Sequence, residues 1–156
     1  MKVRHLGVAL VLSACAVSPA LAQALQTPQT PVAAGRVKIA SGNAFIIRQN
    51  AEIPATVGLA IFESDSLRTG GDGRIGVTMK DDTRVSIGPR SEVRLERFAY
   101  APADGRLGFA MRVVRGVAAY VSGRIAKLAP DAIRLETPAA IVGVRGTSVA
   151  ISVGAE

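Results

Sequence analysis

Apolar and polar residues alternate along much of the chain, most regularly between residues 77 and 95. Three apolar pairs have members two residues apart, and each pair follows the last by eight residues: Val77 with Met79, Val85 with Ile87, and Val93 with Leu95. Turn-forming residues fill the intervals 80–83 and 88–91. A spacing of two puts one face of a β-strand in a core and the other in solvent. The pattern therefore predicts three short strands separated by turns.

The alternation continues towards the C-terminus. It includes Leu107, Phe109, Met111 and Val113; Val117, Ala119 and Val121; Ile133 and Leu135; Val142 and Val144; and Val149, Ile151 and Val153. No stretch after residue 22 has a 3.6-residue period, so we predict an all-β domain over residues 35–156 with minimal helix. The regular step of eight favours a β-solenoid or β-roll-like stack, with an antiparallel β-sandwich as the alternative.

The N-terminal residues follow a different pattern. Lys2 and Arg4 precede an uncharged apolar run over residues 6–17, and a small-x-small motif ends at Ala22. This order is typical of a secretory signal peptide with a helical apolar region, cleaved near Ala22. The run is shorter than the ~20 residues that span a bilayer. We therefore expect a periplasmic protein whose mature chain has no transmembrane span.

A second processing site competes with the first. Residues 12–15, Leu-Ser-Ala-Cys, resemble a lipobox, so a lipoprotein anchored at Cys15 is the alternative. Residues 23–34 contain two Thr-Pro pairs and no periodicity, which indicates a flexible linker between the signal peptide and the domain.

The composition of the chain limits the catalytic and metal-binding chemistry that we expect of it. Cys15 and His5 are the only cysteine and histidine, and both lie in the signal peptide. The mature chain thus lacks the usual zinc ligands and the usual nucleophile–base pairs, so we expect no enzyme and no cofactor. Residues 71–76 match G-x-G-x-x-G, but a strand pattern follows where a dinucleotide site needs a helix, which favours a glycine-rich hairpin turn.

The chain is basic, with a formal net charge of +7. Without Lys2 and Arg4, 17 basic residues face 12 acidic ones, and the arginines stand singly along the predicted strands. An exported protein does not meet nucleic acid but does meet anionic lipids, polysaccharides and acidic protein surfaces. Scattered single arginines are also typical of an ordinary solvated face.

Three segments together resemble the FecR domain family. Residues 62–70 resemble its Asp-x-Leu-x-Thr-Gly stretch, residues 73–91 its Asp-Gly-Thr core with Asp82 in place of the usual glycine, and residues 135–147 its Thr-Pro-x-Ala and Gly-Val-Arg-Gly-Thr motif. The matching positions are Asp65, Thr69, Gly70, Asp81, Thr83, Ser91, Thr137, Pro138, Gly143, Arg145, Gly146 and Thr147.

We interpret these motif residues as mainly structural. Gly70, Gly143 and Gly146 would allow close backbone approaches, and Thr137-Pro138 would begin a strand. Arg145 would pair with an acidic neighbour such as Asp65 or Glu63, or else bind an anionic ligand.

The resemblance implies a non-enzymatic, extracytoplasmic interaction module like the periplasmic FecR sensory domain, in envelope or iron-uptake signalling. Its partner would be a transporter signalling domain or a membrane regulator, because this chain lacks the regulator's spanning helix and cytoplasmic part. The alternative is a structural binder of peptidoglycan or another wall polymer. An arginine-rich face would favour the polymer, and an apolar exposed edge the protein partner.

Overall fold

A 12-stranded, curled, half-barrel sheet makes up most of the computed structural model, which describes residues 31–144 and 148–154. The strands are β1 (Gly35–Ser41), β2 (Ala44–Arg48), β3 (Ala51–Pro54), β4 (Ala60–Ile61), β5 (Ser66–Thr69), β6 (Arg74–Met79), β7 (Arg84–Ile87), β8 (Glu92–Ala101), β9 (Arg106–Val121), β10 (Ile133–Glu136), β11 (Ile141–Val142) and β12 (Ser148–Val153). The described helical segments are α1 (Arg124–Leu128) and the 3-10 turns Pro102–Asp104 and Pro130–Ala132. The prediction of an all-β fold with little helix is confirmed for the described residues, and the signal peptide lies outside them.

The sheet has two halves that share β9. Half A has the order β4-β1-β6-β7-β9-β12 and uses the C-terminal part of β9. Half B has the order β3-β2-β5-β8-β9-β10-β11 and uses the N-terminal part. The change occurs near Gly116, whose φ of 80° is one that L-residues rarely adopt. The alternating positions 107–113 and 117–121 both lie on this single strand.

The solenoid stack is not confirmed. A solenoid is built from parallel rungs, whereas all strand pairs of the described chain are antiparallel except β9 with β10. The eight-residue step arises because β6 and β7 form a hairpin and β8 continues into half B. The 71–73 turn is also not a hairpin, since β5 lies in half B and β6 in half A.

Most of the alternating residues form one core between the halves, but the inward positions predicted at Val117 and Ala119 are wrong, because after Gly116 it is Ala118 and Tyr120 that are buried. The six predicted positions from Val77 to Leu95 are all at most 5% exposed. Phe109 and Tyr120, from the two parts of β9, pack with ring centroids 5.4 Å apart, and Ile125 of α1 is fully buried beside this core. The inward faces of both halves therefore share a single apolar interior.

Candidate functional site

The five buried polar residues of the described chain are all predicted motif residues. They are Asp65, Thr69, Asp81, Thr83 and Ser91, each at most 4% exposed. Burying a polar side chain is unfavourable unless it is hydrogen-bonded. Their partners therefore decide whether they form a site or support the fold.

Asp65 is held by an arginine that the sequence analysis did not single out. Arg48 donates from Nε to Oδ1 at 2.9 Å and from Nη2 to Oδ2 at 2.7 Å, and the Phe62 amide donates to Oδ2 at 2.8 Å. The Arg48 guanidinium lies 4.4 Å from the Phe62 ring centroid. Its hydrogen bond to Asp65 raises the pKa of Arg48, although burial acts in the opposite direction. This pair ties the end of β2 to the β4–β5 connection.

Arg145, Gly146 and Thr147 lie outside the described residues, so the pairing of Arg145 remains a prediction. Of its two suggested partners, Asp65 is already bound by Arg48. Glu63 accepts a hydrogen bond at 2.9 Å from the amide of Phe98.

Thr69 and Ser91 form a second buried cluster where the two halves meet. The Thr69 hydroxyl donates to the Gly88 carbonyl at 2.6 Å and accepts from the Ser91 amide at 2.9 Å. The Ser91 hydroxyl in turn accepts from the Val117 amide at 2.8 Å. These hydroxyls connect β5, the β7–β8 turn and β9. A Cβ on Gly70 would lie 2.9 Å from the Asn43 Cβ, so the predicted close approach is confirmed there.

We expect Thr69→Val to lower the free energy of unfolding by about 1–2 kcal/mol, because the near-isosteric valine leaves the buried Gly88 carbonyl and Ser91 amide without their hydroxyl partner. Thr56→Val is the matched control, since Thr56 is exposed, and it should change stability by less than about 0.5 kcal/mol. Urea denaturation of both variants measures the difference. Equal stability of the two would contradict a supporting role for the Thr69 hydroxyl.

Asp81 and Thr83 close the β6–β7 turn. Thr83 Oγ1 donates to Asp81 Oδ2 at 2.7 Å, and Oδ2 also accepts from the Ile125 amide at 3.3 Å. The Gly123 amide donates to Thr83 Oγ1 at 3.2 Å. This cluster fixes α1 against the end of the β6–β7 hairpin, so both side chains support the fold.

The described C-terminal motif residues behave differently. Thr137 accepts from the Ala140 amide at 3.0 Å, and Pro138 is exposed in the same turn. The prediction that Thr137-Pro138 begins a strand is wrong, because β10 ends at Glu136 and residues 137–140 reverse the chain to β11. A Cβ on Gly143 would meet no atom of the described residues within 4 Å, so none of them makes the predicted close approach there.

The outer surfaces of the two halves differ in whether carboxylates accompany their cations. Half B carries cations paired with carboxylates: Arg68 with Glu52, Arg115 with Glu92, and Arg112 with Glu96 and Glu136. The hydrogen bond with Glu136 and the nearby charge of Glu96 raise the pKa of Arg112. Half A carries exposed Arg36, Lys38, Arg74 and Arg84, and its strands contain no Asp or Glu. The sequence signal for the outer surface of half A is that its strands contain basic residues and no acidic ones, which a count along the whole chain does not reveal.

The sheet edges differ as well. β3 presents Glu52 and Pro54, which discourage strand addition. β12 is a six-residue strand that pairs only with β9 among the described residues, so its outer edge is open. The described residues also contain no helix long and apolar enough to cross a membrane.

Metal chemistry finds no support in the described part of the chain. No group of three or more His, Cys, Asp or Glu side chains there is placed to hold an ion. Asp72, in the glycine-rich turn, instead accepts from the Asn43 side chain at 2.9 Å and from its amide at 3.2 Å. These hydrogen bonds lower the pKa of Asp72.

Comparison with protein families gives one match. The model of the FecR family, described as FecR protein, matches residues 65–156, which is more than half of the chain. Neither the curated proteins nor the solved structures give a significant match. The matched region begins at Asp65, yet β1 and β2 upstream pair with β6 and β5 inside it. The structural unit therefore includes strands that precede the family match.

Proposed function

This chain belongs to the FecR family, and from that premise we propose that it is a non-enzymatic, extracytoplasmic binding module in envelope signalling. The observation that carries the proposal is that the buried polar residues are engaged in hydrogen bonds within the fold. All five described ones hydrogen-bond to neighbouring strands and turns. Because they support the fold, recognition is assigned to the surface, through a sheet face or an edge strand.

Two surfaces suit two kinds of partner. The open edge of β12 suits an extended segment of a partner protein, which would add a strand through main-chain hydrogen bonds. A transporter signalling domain or a membrane regulator, as in iron-uptake signalling, is the partner that family membership favours. The cation-rich outer face of half A supports the second candidate function, binding of an envelope polymer.

Export is the first requirement of the proposal. The full chain fused at its C-terminus to a β-lactamase without its own leader should make bacteria resistant to ampicillin. Deleting residues 2–22 should abolish that resistance while the protein is still made. Resistance that survives the deletion would contradict the signal peptide. If the chain incorporates labelled fatty acid and Cys15→Ser abolishes that incorporation, the processing event is lipidation at Cys15 and not cleavage near Ala22.

A photo-crosslinking amino acid tests the protein partner. Placed at Ser152 in β12 of the full chain in living cells, it should give a discrete crosslinked protein, identified by mass spectrometry. Placed at Arg94, on the outer face of half B, it serves as the control and should not give that product. A regulator or transporter domain captured only from Ser152 supports signalling. Equal products from both positions, or wall fragments alone, would contradict a β12 partner.

A further inference from the structure

The strands of half A carry cations and no carboxylate. Asp82 of the β6–β7 turn lines the same surface depression as Arg36 and Lys38, where it is paired with Arg124. We call Arg36, Lys38, Arg74 and Arg84 the cationic face, since all four are exposed on β1, β6 and β7. Among the described residues none of them forms an ion pair, and the Arg36 guanidinium donates to the Gly58 carbonyl at 3.1 Å. Their charges are therefore available to an external anion.

The four cations of the cationic face are part of a general excess of positive charge. After residue 22 the chain has 17 basic and 12 acidic residues. The strands of half B hold eight cations and four carboxylates, so their net charge of +4 equals that of the strands of half A; what distinguishes half A is that its strand cations have no carboxylates among them. An excess of charge gathered on one surface attracts oppositely charged ligands more strongly than the same charge spread over the molecule.

The surface between these cations carries small residues on four strands and one exposed apolar side chain, Ile39 of β1, which pairs with Gly76. Strand register places Gly76, Ser86, Ala119 and Ala150 side by side across four strands. These residues span about 14 Å at the usual strand spacing. Thr78 pairs with both Arg36 and Arg84, which places those arginines two strands apart along one side of the row. Arg74 lies on the other side, so an extended chain crossing the strands would pass between arginines.

We propose that the cationic face binds an acidic polysaccharide of the cell envelope, a polymer bearing carboxylate groups. The proposal rests on the proposed function, because export is what brings the face to such polymers. Arginine binds carboxylates through paired, charge-assisted hydrogen bonds, and several weak contacts along one polymer add to a useful affinity. The face has no aromatic side chain to serve as an anchor for a protein partner.

The test uses the full chain purified as the cell processes it. Its binding to polygalacturonate should be measurable by fluorescence at low salt and should weaken as sodium chloride is added, since charge contacts are screened. Neutral dextran should not bind. Vesicles of phosphatidylglycerol provide the competing source of negative charge, and tighter binding to them than to the polymer would overturn the proposal.

Matched variants distinguish binding by the cationic face from attraction by the net charge of the protein. The triple variant Arg36→Gln, Arg74→Gln, Arg84→Gln should bind polygalacturonate about tenfold more weakly. The control triple variant Arg94→Gln, Arg97→Gln, Arg134→Gln removes the same charge from exposed residues elsewhere and should lose less than about threefold. Ser86→Leu should weaken binding at constant charge, because its side chain blocks the row. Unchanged thermal unfolding of each variant shows that the fold is intact.

Two outcomes would overturn the proposal. Equal losses in both triple variants would show that only net charge matters, and absence of polymer binding by the wild-type chain would reject the ligand class. Either outcome leaves the proposed function standing if the fusion is exported and Ser152 captures its protein. A chain that is not exported would instead remove the proposed function itself.

Discussion

Gly116→Ala should destabilise the protein by about 3 kcal/mol or more, because the added carbon atom meets both a positive φ and close neighbours. Gly116 has a φ of 80° at the point where β9 passes from half B to half A. An added Cβ would meet the Ser91 hydroxyl and would lie 2.6 Å from Ser91 Cα and 2.7 Å from the Arg90 carbonyl oxygen. Neither the backbone at this φ nor the buried Ser91 can give way without disturbing the Thr69–Ser91 cluster.

Gly58→Ala separates backbone strain from steric clash. Gly58 has a φ of 91°, and an added Cβ there would meet no atom within 4 Å. Only the conformational preference should be lost, at about 1 kcal/mol. Guanidinium denaturation of both variants gives the comparison, and failure of Gly116→Ala alone to fold would agree with the prediction. Similar losses in the two variants would mean that the chain relieves the clash at Gly116.

Arg48→Ala should destabilise the protein by about 3 kcal/mol, because it leaves the carboxylate of Asp65 buried without its cation. Asp65 is 1% exposed, and two of the three hydrogen bonds to its carboxylate come from Arg48. Arg68→Ala is the matched control. Arg68 forms an ion pair with Glu52, but both side chains are more than a third exposed, so less than about 1 kcal/mol should be lost.

A double variant tests the mechanism. If the cost arises from an uncompensated buried charge, Asp65→Asn in the Arg48→Ala background should recover part of the lost stability. Thermal unfolding of the two single variants and the double variant measures this coupling. Additive losses would show that Arg48 stabilises the protein through its packing on Phe62, rather than through Asp65.

The sequence allowed the strands to be predicted but not their arrangement. Alternation identified the buried positions of β6, β7 and β8, because inward and outward residues differ in polarity along each strand. It carries no information on which strands pair. The same eight-residue step therefore fits a solenoid as well as the arrangement found here, in which β6 and β7 form a hairpin in half A and β8 lies in half B. The inward positions of β9 after Gly116 were predicted wrongly because the alternation of buried residues shifts by one at that point.

The candidate surfaces were harder to predict for the same reason. The buried motif residues could be found from their resemblance to a family, but Arg48 has no such motif, and its partner lies 17 residues away in the chain. Arg36, Arg74 and Arg84 look like scattered single charges in the sequence. They share a face only because β1, β6 and β7 are neighbours in half A.

The position of β9 also sets an order in which the protein can assemble. Without it, the first eight strands can form only two separate four-stranded sheets, β4-β1-β6-β7 and β3-β2-β5-β8. β9 joins them by pairing with β7 and β8, and it ends at Val121. A chain that emerges N-terminus first, from a ribosome or a translocation channel, therefore stays loose until about three quarters of its length is out. Under the proposed export, late closure of this kind would keep the polypeptide able to pass through a translocation channel and would delay the interior's protection from proteases until β9 has emerged.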